Sequence, residues 1–216
     1  MKDKFSSIKI NNDKLKNLDE KLLQFISNKK QNVKWSDIAG LDKQKEYLKE
    51  KVIIPIKFPE LIREKNTPLE NLILLYGPPG TRKTLLSNWL ATELGDNFYY
   101  ISSLSLIGTW FEYESDKTLK QLFDNAKNYS PSVIFFDEIN YFLNTNNSNE
   151  NDSIRKLKAE FLLQMKEMEN NKKIIIMGTT NIPWELEPKI KIIFQKKIYI
   201  GLPKIKARRA MIKLFL

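Results

Sequence analysis

Leu72-Ile73-Leu74-Leu75-Tyr76 runs directly into Gly77-Pro78-Pro79-Gly80-Thr81-Arg82-Lys83-Thr84, and a helical pattern of apolar residues, Leu85, Leu86, Trp89, Leu90 and Leu94, follows at once. Strand, glycine loop, helix is the context that a phosphate-binding loop requires. In such a loop the backbone N–H groups point inward at phosphate oxygens, and the helix N-terminus adds its partial positive charge. Lys83 is then placed to reach the β- and γ-phosphates of a nucleoside triphosphate, and the Thr84 hydroxyl to hold Mg²⁺.

One residue departs from the pattern G-x-x-x-x-G-K-[ST]: Arg82 stands where the second glycine belongs. Glycine serves there because it has no Cβ and lets backbone approach phosphate closely. Arg82 brings a Cβ and a long cation, which either grips a phosphate itself or fills the pocket. Taken alone, the octet also fits an ordinary Gly/Pro turn, and the residues downstream decide against that reading.

Val133-Ile134-Phe135-Phe136-Asp137-Glu138 has four apolar residues followed by two acids. The run suits a strand buried on both faces of a parallel sheet. Its carboxylates fall at the C-terminal end, where open α/β sheets place their ligands. This is a Walker B pattern, with Asp137 holding Mg²⁺ through water and Glu138 polarising the attacking water. The apolar run 172–179 reads as another buried strand ending in Thr180-Asn181 at the same edge. The Asn181 amide either bonds the attacking water or γ-phosphate, or caps a turn before Pro183.

The 216 residues suffice for one domain with a substantial core. Cysteine and histidine are both absent, which excludes a disulfide framework, a thiolate metal site and the commonest general base. Chemistry must therefore rest on carboxylates, lysines, hydroxyls or a bound metal ion. The start, Met1-Lys2-Asp3-Lys4, carries no apolar core of a signal peptide, and no apolar run reaches membrane-span length, so a cytoplasmic location is expected. The net charge of +10 favours acidic partners in principle. The lysines are spread along the chain rather than gathered with aromatics, which argues against nucleic acid as the partner and leaves membrane contact at most indirect.

Residues 1–32 read as an arm with an amphipathic helix over 13–28, and residues 33–216 as the α/β unit. Helices are expected over 42–54, 60–65, 116–128, 153–169, 187–194 and 204–216, and strands near 97–102 and 198–200. The alternation of strand and helix gives α/β with a mainly parallel, five-stranded sheet, a P-loop NTPase.

Several ordered runs carry a family resemblance: Val33-Lys34-Trp35-Ser36-Asp37-Ile38-Ala39-Gly40-Leu41, Val52 to Pro59, Leu74 to Thr81, Lys120-Gln121-Leu122-Phe123, Phe135 to Glu138, Thr180-Asn181-Ile182-Pro183-Trp184, and Ile198-Tyr199-Ile200. From Val33 onward the chain resembles AAA ATPases of the group containing katanin, spastin, fidgetin and the vacuolar-sorting ATPase that disassembles ESCRT-III polymers. The resemblance implies a ring hexamer, of this chain or with an active relative, that binds ATP and Mg²⁺ and pulls on a protein substrate through aromatic pore loops. It implies that Asp37, Ile38, Ala39 and Gly40 flank the adenine. It implies that Gly77, Pro78, Pro79, Gly80, Thr81, Arg82, Lys83, Thr84 and Leu85 hold the phosphates. Thr84 and Asp137 then serve the metal, Glu138, Asn181 and Lys83 serve catalysis, and Trp110 with Phe111 is the pore pair.

Further departures stand beside Arg82. The pore segment Thr109-Trp110-Phe111-Glu112 loses a lysine and a glycine. Lys191-Ile192-Ile193 replaces a run of arginines, two of which act in relatives as arginine fingers on the neighbour's ATP. The helical lid of relatives is expected to be absent from this chain. A second reading follows, a non-hydrolysing subunit or scaffold.

Overall fold

The alternation of apolar side chains along each strand decides how the layers form. The computed structural model describes residues 32–60, 70–104, 115–144, 152–171 and 173–215. Five strands make one sheet: β1 (Leu72–Tyr76), β2 (Phe98–Ser102), β3 (Ser132–Asp137), β4 (Ile174–Thr180) and β5 (Lys196–Tyr199). Their order is β2-β3-β4-β1-β5, and every pairing is parallel. The expected five-stranded parallel sheet is therefore present.

The helices are α1 (Asp42–Leu48), α2 (Ile54–Lys57), α3 (Lys83–Leu94), α4 (Ser115–Asn128), α5 (Asn140–Leu143), α6 (Asp152–Met168), α7 (Pro188–Ile193) and α8 (Ile205–Phe215). A π-helical turn, Lys49–Ile53, joins α1 to α2, with the Ile54 N–H donating to the Lys49 carbonyl. The expected 42–54 helix thus extends to Lys57 with this irregularity inside it. Pro55, which cannot donate a backbone hydrogen bond, follows directly. The amphipathic helix expected at 13–28, most of the 60–65 helix, and Trp110 and Phe111 lie outside the described residues.

Strand period two splits the core into two halves, one on each face of the sheet. Leu72, Leu74, Ile134, Phe136, Ile174 and Ile176 point to the side covered by α4 and α6, through Phe123, Phe161 and Met165. Ile73, Leu75, Val133, Phe135, Ile175 and Met177 point to the side covered by α1 and α3, through Leu48, Leu86, Trp89 and Leu90. β3 and β4 are buried along their whole length, as unbroken apolar runs in a parallel sheet require.

Side-chain anchors then hold the peripheral pieces. The Val33 N–H donates to Thr92 Oγ1 at 3.2 Å, and Trp35 packs edge-on against Trp89 with centroids 5.1 Å apart. These contacts fasten the segment before α1 to α3. The buried Lys158 ammonium donates to Asn144 O at 2.9 Å and to Glu187 Oε1 at 3.1 Å, and so fixes the approach to α7 from α6.

Candidate functional site

The sheet order brings the chemically distinctive strand ends together. β1, β4 and β3 are adjacent, so the glycine loop after β1, Thr180-Asn181 and Asp137-Glu138 emerge at one edge. The Gly77 N–H donates to the Thr180 carbonyl at 3.3 Å, tying the loop to β4. Gly77 has φ 155°, and a Cβ there would lie 2.1 Å from the carbonyl oxygen of Ile200. Only glycine fits this crossing.

Lys83 opens α3 and is buried. Its ammonium folds back over the loop and donates to Gly77 O at 2.7 Å, Pro78 O at 2.8 Å and Thr81 Oγ1 at 3.3 Å. Burial lowers its pKa from the ordinary lysine value, while Asp137 and Glu138 pull the other way. Its three protons thus rest on neutral oxygens of the cradle that a phosphate would enter.

Asp137, only 8% exposed, collects three hydroxyls. Thr84 Oγ1 donates to Oδ2 at 3.2 Å, Tyr100 OH donates to the same oxygen at 2.7 Å, and Thr179 Oγ1 donates to Oδ1 at 2.5 Å. Burial first, and then the bond to Asp137, pushes the Tyr100 pKa far above that of an ordinary tyrosine, so the phenol stays a donor. Tyr100 and Thr179 escaped the reading of the sequence. Tyrosine in a β-strand is ordinary, and only the pairing of β2 with β3 and of β3 with β4 brings these hydroxyls to the carboxylate.

Glu138 sits in the left-handed region at φ 55°, a conformation costing a non-glycine residue about 1–2 kcal/mol. β4 holds it there. The Glu138 N–H donates to Thr179 Oγ1 at 2.8 Å, and Asn181 Nδ2 donates to Glu138 Oε1 at 3.1 Å. The amide of Asn181 is thereby engaged with the second acid rather than with a turn before Pro183.

Beside the loop opens a cavity of about 1060 Å³. Ala39, Gly40, Gly80, Thr81 and Arg82 form one wall, and Tyr199, Leu202 and the α8 residues Ile205, Ala207, Arg208 and Met211 form the other. Of the expected adenine-flanking residues, Ala39 and Gly40 line it. Asp37 is spent on its own turn, accepting from the Lys34 N–H at 2.8 Å and from Ser36 Oγ at 3.1 Å. Ile38 is buried in the core, and its carbonyl accepts from Lys45 Nζ at 3.0 Å. Leu85 packs against the same half of the core. Gly40 is pressed by α8: a Cβ on it would lie 2.8 Å from Ala207 Cβ.

Arg82 adopts the glycine conformation without being glycine, with φ 72° and ψ 29°. Arg82 lines the cavity, and among the described residues its buried Nη1 has no hydrogen-bond partner. A desolvated guanidinium N–H without an acceptor is costly. An anionic ligand in the cavity supplies one, so the donor set fits a nucleotide phosphate. The neighbouring Thr84 and Asp137 oxygens are hard donors suited to Mg²⁺. Among the described residues no group of three or more acids forms a separate metal cluster, and no helix is long and apolar enough to cross a membrane.

Comparison with known proteins agrees with this geometry. Residues 73–202 match the model of the ATPase family associated with various cellular activities (AAA). Vacuolar protein sorting-associated protein 4A of Homo sapiens is 44% identical over 207 residues, covering 95% of this chain and 47% of the relative. Katanin p60 ATPase-containing subunit A1 of Arabidopsis thaliana is 37% identical over 191 residues, covering 84% of this chain and 36% of the relative. This chain therefore spans less than half the length of these relatives. The crystal structure of the FIGL-1 AAA domain superposes with a TM-score of 0.77 at 33% identity, covering 94% of this chain and 67% of that one. With its sheet order, its clustered loop and acids, and these matches, the chain belongs to the AAA ATPase family, in the group of Vps4-like and katanin-like members.

Proposed function

We propose that this chain binds Mg²⁺-ATP at the edge of β1, β4 and β3 and, in a ring with arginine-bearing neighbours, hydrolyses it to remodel or disassemble a protein assembly of the ESCRT-III or cytoskeletal type. The observation that carries the nucleotide reading is the convergence of Thr84 on Asp137 and of Asn181 on Glu138, with Lys83 folded over the glycine loop. Thr84 and Asp137 would hold Mg²⁺, which on binding neutralises charge on the phosphate oxygens. Lys83 exchanges neutral carbonyl acceptors for charged phosphate oxygens, a gain because charge-assisted bonds are the stronger ones. Glu138 is the acceptor for a proton of the attacking water, and Asn181 holds its carboxylate in place from the side. The remodelling role rests on the similarity to the Vps4-like and katanin-like relatives.

Binding of a fluorescent ATP analogue with Mg²⁺ tests this reading. Micromolar affinity is expected, falling by about 10–100-fold in Lys83→Ala, the cost of losing a hydrogen-bonded charge at the phosphates. Equal binding by both proteins would end the proposal.

Arg82→Gly separates two properties of that residue. Relief of the left-handed backbone should stabilise the fold by about 1 kcal/mol, raising the thermal midpoint by about 2–4 °C. Loss of the guanidinium should weaken nucleotide binding by about tenfold. Tighter nucleotide binding in the variant would mean instead that Arg82 obstructs the cradle.

A second reading is favoured by a specific observation. Ile192, where the resemblance calls for a finger arginine, projects into solvent with 78% exposure, and Lys191 is tied to the Trp184 carbonyl at 3.0 Å. A ring made of this chain alone would lack fingers, making the chain a nucleotide-binding subunit that depends on an active relative.

A further inference from the structure

Tyr100 lies outside the phosphate loop, the two acids and Asn181, yet it makes the shortest bond to Asp137 Oδ2, at 2.7 Å. Its ring is buried and stacks on Phe135, with centroids 5.8 Å apart and planes 13° from parallel. The phenol oxygen is therefore held by a rigid ring on a central layer of the core. On the other side, Thr179 of β4 holds Oδ1. Both carboxylate oxygens are thus tethered from neighbouring strands, and Thr84 shares Oδ2 with Tyr100.

A carboxylate has about four acceptor positions. Tyr100 and Thr179 occupy one on each oxygen, and Thr84 releases another when its hydroxyl turns to a metal. What remains can accept from metal-bound water. Direct coordination asks more of the carboxylate: it must advance toward the cation and give up the tethers, and the two donors have already drawn charge from it. Mg²⁺ dehydrates reluctantly and keeps several waters, so it is satisfied by a carboxylate held one water away. Ca²⁺ sheds water readily and takes carboxylates directly, often through both oxygens.

We propose that Tyr100 is a positioning residue that holds Asp137 back as a water-mediated partner of the metal, and thereby sets a preference for Mg²⁺ over Ca²⁺ in nucleotide binding. The inference rests on the nucleotide reading given above. Removing the phenol oxygen loosens one tether and returns charge to Oδ2, so Asp137 becomes a competent direct ligand and Ca²⁺ gains more than Mg²⁺.

The test is equilibrium binding of a fluorescent ATP analogue to the full chain, measured once with Mg²⁺ and once with Ca²⁺. The wild type should bind more tightly with Mg²⁺. In Tyr100→Phe, which keeps the ring on Phe135, the ratio of the two affinities should move toward Ca²⁺ by about tenfold, the worth of one hydrogen bond to a charged group. Tyr99→Phe is the control. It removes a buried hydroxyl that bonds Asn125 Oδ1 at 3.0 Å on the opposite face, and it should leave the ratio unchanged. Should Tyr100→Phe fail to give a cooperative melt, Thr179→Val, which cuts the other tether, must shift the ratio the same way. An unchanged ratio in a folded variant, or a wild type indifferent to the cation, overturns the role of Tyr100 and leaves nucleotide binding intact. A wild type that binds with neither cation overturns both.

Discussion

Arginine in place of Ile192 raises ATP turnover by the assembled chain by about 10³–10⁵-fold, the contribution of an arginine finger to phosphoryl transfer. The finger matters because charge builds on the transferred phosphoryl group as the bond to the leaving oxygen breaks, and an isoleucine cannot offset it. Ile192 is the position for the change. It stands 78% exposed near the end of α7, whereas Ile193 packs partly against the core half that contains Phe194 and Ile190. Ile192→Arg should therefore leave stability within about 0.5 kcal/mol, as surface substitutions do, while Ile193→Arg would bury a charge. The measurement is steady-state phosphate release at concentrations where the chain assembles. Mixing supplies the sharper version. A double variant, Ile192→Arg with Lys83→Ala, donates a finger but lacks its own lysine, and the wild type has the lysine but no finger. Each alone should be nearly inactive, and the mixture should turn over ATP. A mixture as inactive as its components would count against fingers acting between subunits of this chain.

Glu138→Gln, made on the Ile192→Arg background, should lower turnover by about 10²–10⁴-fold, the usual worth of a positioned general base. Nucleotide affinity should be retained. The swap keeps the carbonyl oxygen that accepts from Asn181 Nδ2 and keeps the backbone N–H that donates to Thr179 Oγ1, so the left-handed turn at Glu138 stays anchored. Only the capacity to take a proton is removed. Comparing phosphate release with equilibrium ATP binding separates the two effects. A loss of binding equal to the loss of turnover would mean that Glu138 supports the site's shape rather than its chemistry.

Much of the fold was legible because the deciding features are local. Five apolar runs with helical patterns between them leave few alternatives to a parallel sheet, and Ile73 and Leu75 alternating with Leu72 and Leu74 directly encode two core faces. Boundaries slipped where local preference is weak. β5 covers Lys196–Tyr199 rather than 198–200, because pairing with Ile73 and Leu74 draws lysines into the strand. The four-residue helix Asn140–Leu143 was missed, being too short to show a period. In the site, residues within one motif announce themselves, as Lys83 and Thr84 do. Contributions across strands do not. Tyr100 is one of several tyrosines until β2 lies beside β3, and the α8 wall of the cavity is invisible until Ala207 meets Gly40. Arg82 was visible as an irregularity, but its buried Nη1, without a partner among the described residues, required the folded loop.

The cavity beside the phosphate loop is lined by three stretches far apart along the chain, residues 39–44, 80–82 and 199–211. Whatever occupies it acts as a clasp between them. Ligand affinity and the docking of α8 are then one thermodynamic quantity read from two ends: a ligand that binds only the closed arrangement stabilises it by mass action. Loosening α8 at Ala207 would then surface as weaker binding of a ligand held in the cavity.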